Sequence, residues 1–180
     1  FISNGETYTT RKDITPGTAI SAPAAPARTG YTFGGWYTNS TTQNDTTSYD
    51  FSTKVNSSFT LYAKWTPIPY TVTYTYKDED GNIDRTEDTT VNYGTQISLP
   101  EGYTWSVGSN TYDGGTGVTI YGDTSFEGTP ITFDVTIVDE TDKSTKTTYL
   151  YGADVKLPAL PEGYVWKGSD GKSYTGGSTY

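Results

Sequence analysis

Asp78, Asp80, Asn82 and Asp84 place side-chain oxygens at alternate positions of one short stretch, and Asp139, Glu140 and Asp142 partly echo them. Alternating oxygens are the raw material of a calcium loop. The EF-hand version also needs Gly at its sixth position and a bidentate Glu at its twelfth, and both are missing here. The ordinary reading is a polar β-turn, and Asp78, Asp80 and Asn82 are kept as candidate calcium ligands beside it.

Catalytic chemistry finds few tools in this chain. There is no His and no Cys among the 180 residues. The commonest general base is therefore absent, along with His-based triads and thiolate zinc sites. No Gly-x-Ser-x-Gly elbow occurs. A pair of carboxylates could hydrolyse a glycoside, yet the acidic residues gather where hairpin turns are expected, and solvated charge explains them. The chain is expected to be no enzyme and to need no cofactor.

Aromatic residues are the other resource: seventeen Tyr, six Phe and four Trp. Trp36, Tyr37, Trp105 and Trp166 could stack on sugar rings. Phe33, Trp105 and Trp166, however, follow Gly-Tyr at one repeated spacing, which marks a core position. Trp36 and Tyr37 lack that constraint and are expected to form an exposed ligand contact. Lys64 and Asn56 flank one strand and would be the pair for an intramolecular isopeptide bond. Asn39, Asn44 and Asn56 begin Asn-x-Ser/Thr triplets, which a Thr/Ser/Asn-rich chain produces by chance.

The elements that position these residues repeat. Gly17 to Pro23 leads to Gly30-Tyr31-Thr32-Phe33. Gly94 to Pro100 leads to Gly102-Tyr103-Thr104-Trp105, and Gly152 to Pro158 leads to Gly163-Tyr164-Val165-Trp166. Such self-similarity indicates a tandem array. The repeat divides the chain into modules at 1–66, 67–129 and 130–180, joined by the proline-bearing linkers Thr66 to Pro69 and Gly128 to Pro130, which should stiffen the joints. Each module is of a size at which one core is marginal.

Strand signals dominate. Tyr70 to Tyr76 alternates, with Tyr70, Val72, Tyr74 and Tyr76 on one face. Asp80-Gly81 predicts a turn, and 89–93 the returning strand. In the third module 131–138 and 146–151 form the same hairpin. Later strands are expected at 31–37, 59–65, 103–107, 118–121 and 125–128, with a polar loop from Asn39 to Tyr49. No segment shows a clean helical period. Phe1 to Gly5 aligns with the end of a first strand, and the third module has no equivalent of Phe59 to Trp65. Those edges predict an excerpt from a longer chain, or strands lent head to tail by neighbouring molecules.

The formal net charge is −9. Without a basic stripe this argues against nucleic acid and anionic membrane as partners. No apolar run is long enough to insert in a membrane, and no signal peptide is visible.

The strings Gly17 to Pro23, Arg28 to Tyr37, Tyr49 to Val55 and Leu61-Tyr62-Ala63-Lys64-Trp65 resemble an internalin-type B repeat, the Listeria–Bacteroides repeat. The later modules resemble divergent B repeats, and Tyr74 to Gly81 is similar to mucin-binding-protein repeats. The resemblance implies a mainly β fold of three small β-grasp-like modules. It implies a secreted or cell-wall-attached protein of a Gram-positive bacterium, acting as a semi-rigid stalk or adhesion module. The partners would be a host surface glycan or protein, and neighbouring repeats of the same chain. The alternative is a glycan-binding module appended to an extracellular enzyme.

Overall fold

The computed structural model describes residues 1–41, 47–139 and 141–180. The Asn44 triplet, part of the Asn39–Tyr49 loop, and Glu140 lie outside the described residues. The described chain contains seventeen strands and no helix, which bears out the mainly β expectation. In the first repeat the strands are β1 (Ile2–Ser3), β2 (Glu6–Thr7), β3 (Thr18–Ala19), β4 (Tyr31–Tyr37), β5 (Lys54–Val55) and β6 (Tyr62–Pro67). The second repeat has β7 (Pro69–Lys77), β8 (Ile83–Asn92), β9 (Gln96–Ser98), β10 (Tyr103–Val107), β11 (Asn110–Asp113), β12 (Gly117–Thr119) and β13 (Thr124–Pro130). The third has β14 (Thr132–Val138), β15 (Ser144–Leu150), β16 (Trp166–Lys167) and β17 (Ser173–Tyr174).

The residues cluster into two compact units. One comprises Phe1–Val72, Thr89–Ile97 and Thr119–Thr124. The other comprises Thr73–Asp88, Ser98–Val118 and Ser125–Tyr180.

The first unit carries a sheet of order β2-β1-β6-β4. β1 runs parallel to β6, and β4 runs antiparallel to it with a bulge between Phe33 and Gly35. Gly35 takes φ +114° there, a region that side chains disfavour. The bulge gives the strand an extra twist. Trp36 and Tyr37 follow it, and both are buried, 3% and 6% exposed. This corrects the expectation of an exposed contact. The Trp36 ring meets Phe1, Phe33 and Tyr8 at centroid distances of 4.9, 5.4 and 5.8 Å. A small module short of aliphatic residues uses its largest side chain as core.

The strands of the second repeat form a sheet of order β11-β10-β13-β7-β8. The shared order β4-β6-β1-β2 and β10-β13-β7-β8 shows one topology used twice, with β11 added. The Tyr/Thr alternation of β7 holds: Tyr74 and Tyr76 are buried beside half-exposed Thr73 and Thr75. Their rings pack on Trp105 at 5.4 and 5.1 Å. Trp105 and Phe126 are fully buried. Phe33 and Trp166 are only half-buried, so the repeated Gly-Tyr-x-aromatic position is full core in the second repeat alone.

The register explains that difference. Tyr31 faces Pro67 and Phe33 faces Trp65 across β4 and β6. At the matching places Tyr103 faces Pro130 and Trp105 faces Gly128 across β10 and β13. The first repeat shares the aromatic bulk between both strands, and the second places it all on one. A Cβ on Gly128 would lie 2.7 Å from Trp105 Cζ3. In the third repeat β14 pairs only with β15 and β16 only with β17 among the described residues, so nothing closes over Trp166 as β13 closes over Trp105.

The acidic turns are built alike. Asp78 Oδ1 accepts from the amides of Asp80 and Asn82 at 3.0 and 2.8 Å. Asp139 Oδ1 accepts from those of Thr141 and Lys143 at 2.8 and 3.1 Å. Each aspartate caps its own turn in the manner of an Asx motif. β8, beyond the first turn, is exposed nearly throughout and carries Asp84, Arg85, Glu87 and Asp88, charges that discourage further pairing.

Candidate functional site

Two arrangements in the molecule could engage something outside a single module. The first is a groove in the first unit, about 640 Å³ in volume, between residues 10–16 and 55–61. β3 pairs β5 through Thr18–Val55 and Ala19–Lys54, and Gly17 N–H donates to the Val55 carbonyl at 2.8 Å. This short ladder holds the 55–61 segment. Buried Leu61, with Ile14, Ile20 and Val55, supplies apolar lining. Arg11, Lys12, Asn56, Ser57 and Ser58 supply polar groups, and Phe59 adds an aromatic ring that is 43% exposed. A smaller hollow of about 340 Å³ shares Val55, Asn56, Ser57 and Phe59 and adds Tyr49 and Lys54. The Tyr49 and Phe59 rings are 5.2 Å apart.

Arg11, Lys12 and Lys54 make no ion pair among the described residues, whereas Lys77, Arg85, Lys146 and Lys172 all do. In a chain of charge −9 the groove is thus locally basic, with Asp13 as its acidic lining residue. The exposed Phe59 ring beside amides, hydroxyls and cations without an ion pair suits a hydroxyl-rich or anionic ligand. The sequence reading missed Arg11 and Lys12. Their signal was present, since they are the chain's one adjacent pair of basic residues.

Among the calcium candidates, Asn82 Nδ2 donates to Asp78 Oδ2 at 3.3 Å. Asp78 satisfies its own turn, and the hydrogen bond from the Asn82 amide leads the effects that hold its carboxyl below the usual range. No group of three or more acidic residues is placed to hold a metal ion among the described residues. Lys64 extends over the Tyr37 ring at 5.1 Å, and Asn56 lines the groove.

The second arrangement occurs at the repeat junctions. One residue, Ile68, separates β6 from β7, and one residue, Ile131, separates β13 from β14. Ile68 N–H donates to the Gly30 carbonyl, and the Ile68 carbonyl accepts from Tyr93 N–H, both at 2.9 Å. Ile131 makes the same two bonds, to Gly102 and from Tyr151, again at 2.9 Å. Above each glycine lies a tyrosine ring. A Cβ on Gly30 would run into Tyr93, and one on Gly102 would come within 3.2 Å of Tyr151. Both glycines also take positive φ, +77° and +84°. The glycine of Gly-Tyr is therefore required twice over, by its backbone and by the ring above it.

Residues 1–64 match the family model of the Listeria-Bacteroides repeat domain. The family match covers the first repeat. Over 101 residues the chain is 34% identical to a protein of Evansella cellulosilytica described as "Putative Gly-rich membrane protein", covering 56% of this chain and 11% of that protein. Over 124 residues it is 36% identical to a "Putative membrane protein" of the same organism, covering 65% of this chain and 18% of that protein. The chain thus spans less than a fifth of either relative. No solved structure gives a significant match. No helix among the described residues is long and apolar enough to cross a membrane.

Proposed function

We propose that this chain is a non-catalytic repeat region of a bacterial cell-surface protein, and that its modules act as a semi-rigid stalk on the outer side of the cell. The observation that carries the reading is the twofold occurrence of the junction. A one-residue link, two hydrogen bonds and a ring on a glycine restrain each connection, which a spacer needs and an enzyme domain does not. The Listeria-Bacteroides repeat match and the membrane-protein relatives support the surface setting. Limited proteolysis tests the stalk. The 66–69 and 129–132 segments should resist a broad-specificity protease, and Tyr151→Ala should open the second segment to cleavage while the first stays closed. Equal, rapid cutting at both junctions of the unaltered chain would overturn the reading.

The groove favours an adhesive role for the first repeat, as a contact for an acidic glycan of a host surface. Binding to immobilised acidic polysaccharide should fall at least tenfold when Arg11, Lys12 and Lys54 are all replaced by Ala. Undiminished binding removes the groove from this role.

A further inference from the structure

The junction is built from three parts: the Gly-Tyr glycine of one repeat, an isoleucine link, and the Tyr-Gly tyrosine of the next. Gly30, Ile68 and Tyr93 are one set, and Gly102, Ile131 and Tyr151 the second. The third repeat has the first part again. Gly163 precedes Tyr164 as Gly30 precedes Tyr31 and Gly102 precedes Tyr103. Its φ of +89° matches their +77° and +84°.

Its surroundings do not match. A Cβ on Gly163 would meet nothing within 4 Å. Its carbonyl accepts no backbone hydrogen bond among the described residues. The adjoining Tyr164 and Val165 are 63% and 49% exposed. Tyr31 and Tyr103, beside the two occupied glycines, are only half-exposed. A left-handed glycine presents a bare backbone face, which is the one surface a planar ring can approach without meeting a side chain.

We propose that Gly163 and Tyr164 form a third acceptor of this kind, and that its occupant is the tyrosine of a Tyr-Gly strand end on a further module of the same repeat type. The chemistry is specific in two respects. The occupant ring lies on the glycine, and an amide one residue beyond the occupant module's preceding strand donates to the Gly163 carbonyl. Pro16-Gly17 stands where Tyr93-Gly94 and Tyr151-Gly152 stand, so the first repeat offers no tyrosine at that place. Modules built on the second and third repeats do. The inference rests on the two occupied junctions and not on the stalk reading, because it concerns where a ring sits and not where the protein works.

The test reads ring placement directly. In the unaltered chain the Hα protons of Gly30 and Gly102 should resonate upfield of ordinary glycine values through the ring current of the tyrosine above each, and Gly163 should not. Tyr93→Ala and Tyr151→Ala should each return their own glycine to the ordinary position. The chain is then extended by a second copy of Thr119–Tyr180 placed after Tyr180. Gly163 should move upfield, and the amide of the added copy of Ile131 should gain protection from hydrogen exchange of at least tenfold. Replacing the tyrosine of the added copy that corresponds to Tyr151 with Ala should reverse the Gly163 shift. Gly163 unmoved in the extended chain, with that isoleucine amide exchanging freely while the amides of the added β14–β15 hairpin are protected as in the original copy, overturns the proposal.

Discussion

The indole N–H of Trp105 donates to the carbonyl of Pro100 across 2.8 Å, and the Trp166 indole reaches Pro158 in the same way at 3.1 Å. A buried indole needs an acceptor, and the Leu-Pro step places one a few residues upstream. The same indole-to-carbonyl bond thus recurs in the two repeats that carry Gly-Tyr-x-Trp. Trp36 and Trp65 of the first repeat have no such acceptor among the described residues.

Trp105→Phe should therefore cost about 2–4 kcal/mol, from lost volume and from the Pro100 carbonyl left without its donor. Trp36→Phe loses similar volume but removes an unsatisfied donor, so its cost should be clearly smaller. Urea denaturation of the two variants measures the difference. Equal losses would show that the Pro100 bond contributes nothing.

Gly128 faces Trp105 without a positive φ, so only space is at issue. Gly128→Ala should destabilise by about 1–3 kcal/mol as the indole is displaced. Gly122, also without a positive φ and with nothing within 4 Å of its Cβ position, provides the control, and Gly122→Ala should be nearly neutral. The intrinsic fluorescence maximum should shift in the first variant and stay in the second.

Asp142 takes φ +59° at the turn position where Gly81 takes +84°. Its side chain is held in a left-handed conformation that Gly adopts freely. Asp142→Gly should stabilise the third repeat's hairpin by roughly 0.5–1 kcal/mol. Gly81→Asp should destabilise the equivalent turn, and thermal melts of both variants give the comparison.

Asp78 and Asp139 should shape the acid side of the stability curve. The amide of Asn82 and the hydroxyl of Thr141 lead the hydrogen bonds that hold their carboxyls below the ordinary range. A depressed folded-state value means that the stabilisation is present above the unfolded carboxylate value of ~3.9 and is lost as pH falls through the folded one. Melting temperature should drop between about pH 4 and pH 2, and the Asp78→Ala, Asp139→Ala double variant should drop less steeply there.

Much of the fold could be read from the sequence because β7 and β10 obey strict alternation and the turns carry Gly or Asp at the required places. β10 falls on 103–107 as expected, and β14 and β15 lie within a residue or two of their expected ends. β6 starts three residues later than expected, because Phe59 belongs to the groove and not to the sheet. β11 escaped because Asn110 to Asp113 is short and Tyr112 is its single apolar residue, so its pairing to β10 is what makes it a strand. Trp36 was misplaced for a related reason. The bulge at Gly35 resets the inward face of β4, and no simple period-two count anticipates that. The groove was illegible because its cations and rings are far apart in sequence and meet only through the β3–β5 ladder.

The division of aromatic bulk between Phe33–Trp65 and Trp105–Gly128 bears on how such genes can change. A crossover within a module would set Phe33 against Gly128 and leave a void, or Trp105 against Trp65 and force two large rings into one space. A crossover at Ile68 or Ile131 keeps each matched pair intact. Inheritance should thus shuffle these repeats as whole cassettes, with the breakpoints confined to the isoleucine links.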